Sequence, residues 1–334
     1  MMMPEPVLFL LLVVVGLVIL LVGGDILVRG ATALARKMGV PALIVGLTIV
    51  AFGTSAPEMV VSVAAALQDA PAIAIGNIVG SNIANILLVL GVPAVIAPLV
   101  TKGTGIRRNA LIALILTGVF VVMGLDGALT FNEGLILAAT VVVYIVYLAI
   151  SARISKDDPI AAELTEVDSM EGLPKSGIKI ALFTVGGLIL LPVGARLIVD
   201  GGTGIARIFE VPEAVIGLTI IAVGTSLPEL MTAIVAAARR QADLAIGNVI
   251  GSNIFNICAV GGITGIAATL STGAPAPVDG EFIRFDFWVM TAAMILAALL
   301  AFTGRPVGRV LGFVLAVAYV AYLAFLVVTT TTFF

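Results

Sequence analysis

Apolar stretches of about 20 residues recur along the whole chain, separated by short polar connections. Each is long enough to cross about 30 Å of hydrocarbon as an α-helix. The pattern predicts ten spans, at about 6–27, 40–66, 73–98, 108–124, 133–151, 178–199, 212–237, 244–269, 284–303 and 308–329. The first run, Pro6–Val22, is too long for the core of a signal peptide and has no basic residues ahead of it, so it reads as the first span. An all-α integral membrane fold is expected. The connections also carry an orientation signal. With the N-terminus outside, the cytoplasmic loops hold 14 of the 17 lysines and arginines, leaving Arg196, Arg207 and Arg284 on the other side. That bias puts both termini outside and agrees with an even number of spans.

One connection is long. Ser151–Gly177 is polar and acidic, with Asp157, Asp158, Glu163, Glu166, Asp168 and Glu171, and falls on the cytoplasmic side. Its acids lack the order of a calcium-binding EF-hand loop, so it reads as a solvated linker. The segments on either side resemble each other. Gly46–Glu58, GLTIVAFGTSAPE, and Gly217–Glu229, GLTIIAVGTSLPE, agree at ten of 13 positions. Ile75–Ile86, IGNIVGSNIANI, and Ile246–Ile257, IGNVIGSNIFNI, agree at nine of 12. Both pairs share an offset of 171 residues, which also aligns Gly30 with Gly201 and Val40-Pro41 with Val211-Pro212. A whole unit is therefore duplicated. The expected division is 1–152, a linker at 153–177, and 178–334. Two like units of five spans each, joined head to tail, must lie upside down relative to one another, which is the inverted-repeat plan of secondary transporters.

Composition narrows the chemistry. The chain has 334 residues, 61% hydrophobic and only 11% charged, with a mean hydropathy of +1.24. Soluble domains carry about 25% charged residues. Net charge is −3, and the single cysteine, Cys258, lies in an apolar run, which rules out a disulfide framework and reads as packing. Histidine is absent, so Ser-His and Cys-His catalysis and histidine zinc sites are excluded. What remains is carboxylates, amides, hydroxyls and backbone.

These groups collect inside the repeated spans. Glu58 and Glu229 sit well inside apolar runs, where a charge costs several kcal/mol and is kept mainly for function. No lysine or arginine lies in a span interior near either. Pro57 and Pro228 cannot donate to the carbonyls of Gly53 and Gly224, so each helix should kink there and free carbonyls from Ala51 to Thr54 and from Ala222 to Thr225. Ser55 and Ser226 add hydroxyls. The following spans add Ser81 and Asn85, or Ser252 and Asn256, at helical spacing. Asn77, Asn82, Asn248 and Asn253 are further amides that serve either the site or helix packing. Asp25 and its repeat partner Arg196 lie near span ends and read as interfacial. Asp126, Glu133, Asp279 and Glu281 read as loop acids in solvent. The donor set is made of hard oxygens, suited to calcium or sodium and not to copper, zinc or iron. Two carboxylates neutralise one divalent or two monovalent cations and cannot carry both loads together, which is what an antiporter needs.

GTSAPE with GNIVGSNIANI, and GTSLPE with GNVIGSNIFN, resemble the paired repeats of the sodium/calcium exchanger branch of the calcium/cation antiporter superfamily, in its compact prokaryotic form. The resemblance implies ten helices in two inverted five-helix repeats, with spans 2, 3, 7 and 8 as the ion core and spans 1 and 6 as tilted gating helices. It implies calcium ligands at Glu58, Glu229 and the carbonyls of Thr54 and Thr225. It implies sodium ligands at the carbonyls of Ala51 and Ala222 and the hydroxyls of Ser55, Ser81, Ser226 and Ser252, with Asn85 lining the centre. Several members carry an aspartate where this chain has Asn256, so here both central positions are amides. Sodium stoichiometry, and sodium against proton as counter-ion, stay open on that account.

The expected activity is sodium/calcium antiport by alternating access, with a calcium/proton or other cation/proton antiporter as the alternative. A passive channel would not need two broken helices in opposed halves. A membrane protease is disfavoured, because both midplane acids are glutamates behind prolines. The reading needs no cofactor and no nucleic acid. Its partners are calcium, sodium and the bilayer of an inner or plasma membrane; the oligomeric state stays open, with a monomer as one option.

Overall fold

A computed structural model describes residues 4–68, 70–100, 103–154, 172–216, 219–220 and 222–332. The six linker acids lie outside the described residues, as do Gly217, Leu218 and Ile221 of the second motif. In chain order the helices are α1 (Glu5–Met38), α2 (Ala42–Thr54), α3 (Ala56–Leu67), α4 (Ala72–Ile96), α5 (Thr104–Gly124), α6 (Phe131–Ala152) and α7 (Gly177–Ile208). They continue with α8 (Glu213–Ile216), α9 (Ala222–Thr225) and α10 (Leu227–Ala238), then α11 (Ala242–Thr272), α12 (Phe282–Thr303) and α13 (Arg309–Thr329). Two short strands, β1 (Ala128–Leu129) and β2 (Ala276–Pro277), pair antiparallel.

The protein is all-helical and crosses the membrane many times. Among the described residues, eight helices are long and apolar enough to span, and α2 with α3, bent by 42° at their junction, make a ninth. The expected seventh span, 212–237, corresponds to α8, α9 and α10. Burial sorts the helices into layers. α4 and α11 are mostly buried inside the protein, whereas α1, α7 and α13 keep most of their apolar surface outward. Leu10, Val18, Leu182, Ile189, Phe313 and Val320 are exposed, as a lipid-facing ring requires, because lipid solvates them as well as a core would.

α1 and α7 are the longest helices, at 34 and 32 residues. At about 1.5 Å per residue, each exceeds the hydrocarbon thickness and must tilt or project. They pack along each other through glycines spaced by seven, Gly16, Gly23 and Gly30 on α1 and Gly187, Gly194 and Gly201 on α7. A Cβ on Gly16 would sit 2.7 Å from the carbonyl oxygen of Gly194, and one on Gly194 2.8 Å from that of Gly16. Only glycine permits this backbone approach. Gly30 lies against Thr184 and Gly201 against Phe9, so rising number on one helix meets falling number on the other, and the pair is antiparallel.

Candidate ion site at two broken helices

The two motifs fold alike. In the first, the last regular bond before the break runs from Ser55 N–H to Ala51 O (3.0 Å), and the first after it from Met59 N–H to Ser55 O (3.2 Å). The helix stops at Thr54 and restarts at Ala56, because Pro57 has no N–H for Gly53. The carbonyls of Phe52, Gly53 and Thr54 are left without an i+4 donor. Release therefore starts one residue later than expected. Ala51 O is not free, since it accepts Ser55 N–H and also the Thr54 hydroxyl at 3.3 Å. In the second motif Thr225 likewise donates to Ala222 O at 3.3 Å, while Ser226 N–H goes to Val223 O at 3.1 Å.

Glu58 and Glu229, each on the first turn after its break, are 1% and 0% exposed. The Glu229 charge lies near enough to act on Glu58. Among the described residues no base pairs with them. Ser55 donates to Glu229 Oε1 at 3.2 Å, and Thr54 and Ser252 also border that carboxylate. Thr225 lies within electrostatic reach of Glu58.

The halves interleave. α2 packs on α11, and α9 on α4. Asn85 and Asn256 each open a π-helical turn, Asn85–Val89 in α4 and Asn256–Val260 in α11. The turn at Asn85 packs on α10, which carries Glu229, and the turn at Asn256 packs on α3, which carries Glu58. π-Turns inside α-helices are often found at functional sites. Ser81, Asn85, Ser226, Ser252 and Asn256 are all buried. Both oxygens of Glu58, Oε2 of Glu229, both amide atoms of Asn85 and Asn256, and the hydroxyls of Ser226 and Ser252 have no hydrogen-bond partner. Leaving one such group unsatisfied costs about 1–3 kcal/mol, so their concentration on the elements that carry the two acids marks a site built to bind something.

Of the four amides left unassigned by sequence, two belong to this region. Asn77 donates to Glu58 O (3.1 Å) and Ser62 Oγ (2.9 Å). Asn248 donates to Glu229 O (3.4 Å) and accepts from Thr54 Oγ1 (3.1 Å). Asn82 turns back to Ile78 O, and Asn253 to the sulfur of Met294. No spacing rule could have separated the two pairs, since all four sit in the same duplicated motif. Away from the site, Asp25 forms ion pairs with Arg29 (3.0 Å) and Arg239. Arg196 pairs with Asp200 at 3.3 Å, repeating the Asp25–Arg29 pair with the charges exchanged. Asp126 and Glu133 accept backbone N–H groups in their loop. Cys258 is buried and unbonded, as a packing residue would be.

Comparison with known proteins agrees with this geometry. The family model described as sodium/calcium exchanger protein matches residues 8–152 and 179–328. The chain is 38% identical to the inner membrane protein YrbG of Escherichia coli (strain K12) over 320 residues, covering 94% of this chain and 95% of that one. It is 32% identical to the sodium/calcium exchanger MaX1 of Methanosarcina acetivorans, over 95% of this chain and 97% of that one. The sodium-calcium exchanger NCX_Mj, in a structure soaked with Na+ and Sr2+, superposes with a TM-score of 0.80 at 31% identity, covering 95% of this chain and 98% of that one.

Proposed function

The chain belongs to the sodium/calcium exchanger protein family, and on that premise we propose that it exchanges sodium for calcium across the membrane at one midplane site, by alternating access. It is a multi-pass membrane transporter and not an enzyme. The observation that carries the site assignment is the pair of fully buried glutamates with no base beside them among the described residues, set among unpartnered hard oxygens. Those oxygens number seven, two on Glu58 and one each on Glu229, Asn85, Asn256, Ser226 and Ser252. Calcium takes six to eight oxygens, and two carboxylates match its charge. The carbonyls of Thr54 and Thr225 at the breaks, Ala51 and Ala222 beside them, and Ser55 and Ser81 complete the proposed ion path. Sodium takes the same hard donors, so the two loads compete.

The proposed architecture is ten spans in two inverted repeats, 1–152 and 178–334, joined by a cytoplasmic linker at 153–177, with both termini outside. The 171-residue offset supports it. So do the equivalent bonds it relates, Asn77 to Glu58 O and Asn248 to Glu229 O, and the antiparallel pairing of α1 with α7. Calcium-45 uptake into proteoliposomes loaded with sodium, potassium or choline, at fixed pH and with an imposed pH gradient, tests the exchange. Uptake that requires internal sodium is expected. Uptake that ignores sodium and follows the pH gradient would make the counter-ion a proton.

A further inference from the structure

The two motifs repeat in sequence, yet the two sides of the site do not make the same bonds. Around Glu229 the bonds are closed. Ser55 donates to its carboxylate at 3.2 Å, and Thr54 donates at 3.1 Å to Asn248, which holds the Glu229 carbonyl at 3.4 Å. The 171-residue offset defines the counterpart on the Glu58 side, with Ser226 to Glu58, Thr225 to Asn77, and Asn77 to Glu58 O. Of these three, only the last is made, at 3.1 Å. Ser226 Oγ and both Glu58 oxygens have no partner. The Thr225 hydroxyl bonds to Ala222 O at 3.3 Å, as Thr54 does to Ala51 O, but lacks the second bond that Thr54 makes to Asn248. Asn77 gives a hydrogen bond to Ser62 at 2.9 Å, where the second repeat has Ala233.

Packing follows the same asymmetry. Asn248 is fully buried, and Asn77 keeps accessible surface. Beside its glutamate α10 buries Pro228, Met231, Thr232, Ala233, Ala236 and Ala237. The equivalent helix α3 buries only Ser62 and Ala66. Both glutamates are buried, and the Glu229 side is the more fully bonded and the more closely packed of the two.

We propose that Thr54–Asn248 and Thr225–Asn77 are alternate positioning links, each made in one of the two states of the transport cycle. Each link joins the helix break of one half to the amide that holds the other half's glutamate backbone. This structure holds the first link. The opposite state breaks it together with the Ser55–Glu229 bond, and closes Thr225 on Asn77 and Ser226 on Glu58. In the present state the Asn77 amide nitrogen is shared between Glu58 O and Ser62 Oγ. The two arrangements use the same bond types between residues that the 171-residue offset relates, as a bistable element requires. The inference rests on the reading of two like halves that exchange roles about one site.

The test is hydrogen–deuterium exchange of the purified full chain in sodium-free and calcium-free buffer, read in α3 and α10. Thr54→Val removes the link that is present and should speed amide exchange in α10 roughly fivefold, the population shift expected from one net hydrogen bond. Thr225→Val removes the link that is absent and should slow amide exchange in α10 by a similar factor. Ser55→Ala and Ser226→Ala should repeat the two signs, and they carry the test if a threonine variant fails to fold. Opposite signs in α10 for Thr54→Val and Thr225→Val, repeated by the two serine variants, are what a merely structural role would not give. Unchanged or faster exchange in α10 for Thr225→Val would overturn the proposal, and so would a Thr54→Val effect confined to α2 and α3. Because the readout needs no ion, wild-type calcium uptake judges the functional reading separately.

Discussion

Glu58 and Glu229 are costly to bury, and they lie within reach of each other with no base beside them among the described residues. Such an arrangement persists when a cation neutralises it during function. Glu58→Gln or Glu229→Gln keeps the shape and removes half of the ligand charge, so calcium uptake should fall at least about 100-fold, the effect of roughly 2.7 kcal/mol or more. Helical circular dichroism and elution volume should not change. Protonation acts as the same substitution does. Uptake should therefore rise as pH rises and fall on acidification, measured at a fixed sodium gradient. Both acids, Ser55 and Ser226 were legible in the sequence, since polar groups inside apolar runs are costly and both runs carry the same ones. The roles of Asn77 and Asn248 were not legible. Whether an amide points at its own helix, as Asn82 does, or across to a neighbour is decided by packing.

The breaks belong to the helices rather than to single side chains. Pro57 leaves Gly53 O without its donor, and the chain turns by 42° between α2 and α3. Pro57→Ala restores that donor. Pro57 stands in the first turn of α3, where proline is tolerated, so this variant should melt close to the wild type while losing most of its calcium uptake. Normal uptake by it would separate the break from the ion path. Glycine does comparable work between α1 and α7. Gly194→Ala would drive a Cβ against the backbone of α1, an overpacking cost of about 1–3 kcal/mol. A lower melting temperature and loss of uptake are expected. The proline breaks could be read from the sequence, because proline acts locally. The π-turns at Asn85 and Asn256 could not, because they arise from how α4 and α11 meet helices distant in sequence.

Duplication governs the molecule as a whole, and the departures from it are as informative as the matches. The 171-residue offset relates the two halves of the site, and the α1–α7 glycines obey it. The helix ends do not. Asp25 on α1 is tied to Arg239 at the end of α10, but the equivalent residues in the other pairing are Arg196 and Gln68, and Arg196 turns to Asp200 on its own helix. Asp25→Asn should lower the melting temperature by roughly 1–2 °C, as befits a partly exposed pair, whereas Asp200→Asn should leave it unchanged. The most direct test of a shared site is equilibrium calcium-45 binding to the purified protein during a sodium titration. One calcium per chain, displaced by sodium and absent in Glu58→Gln and Glu229→Gln, is the predicted result. Calcium that stays bound at saturating sodium, or that binds equally well to either glutamine variant, would contradict a single site serving both ions.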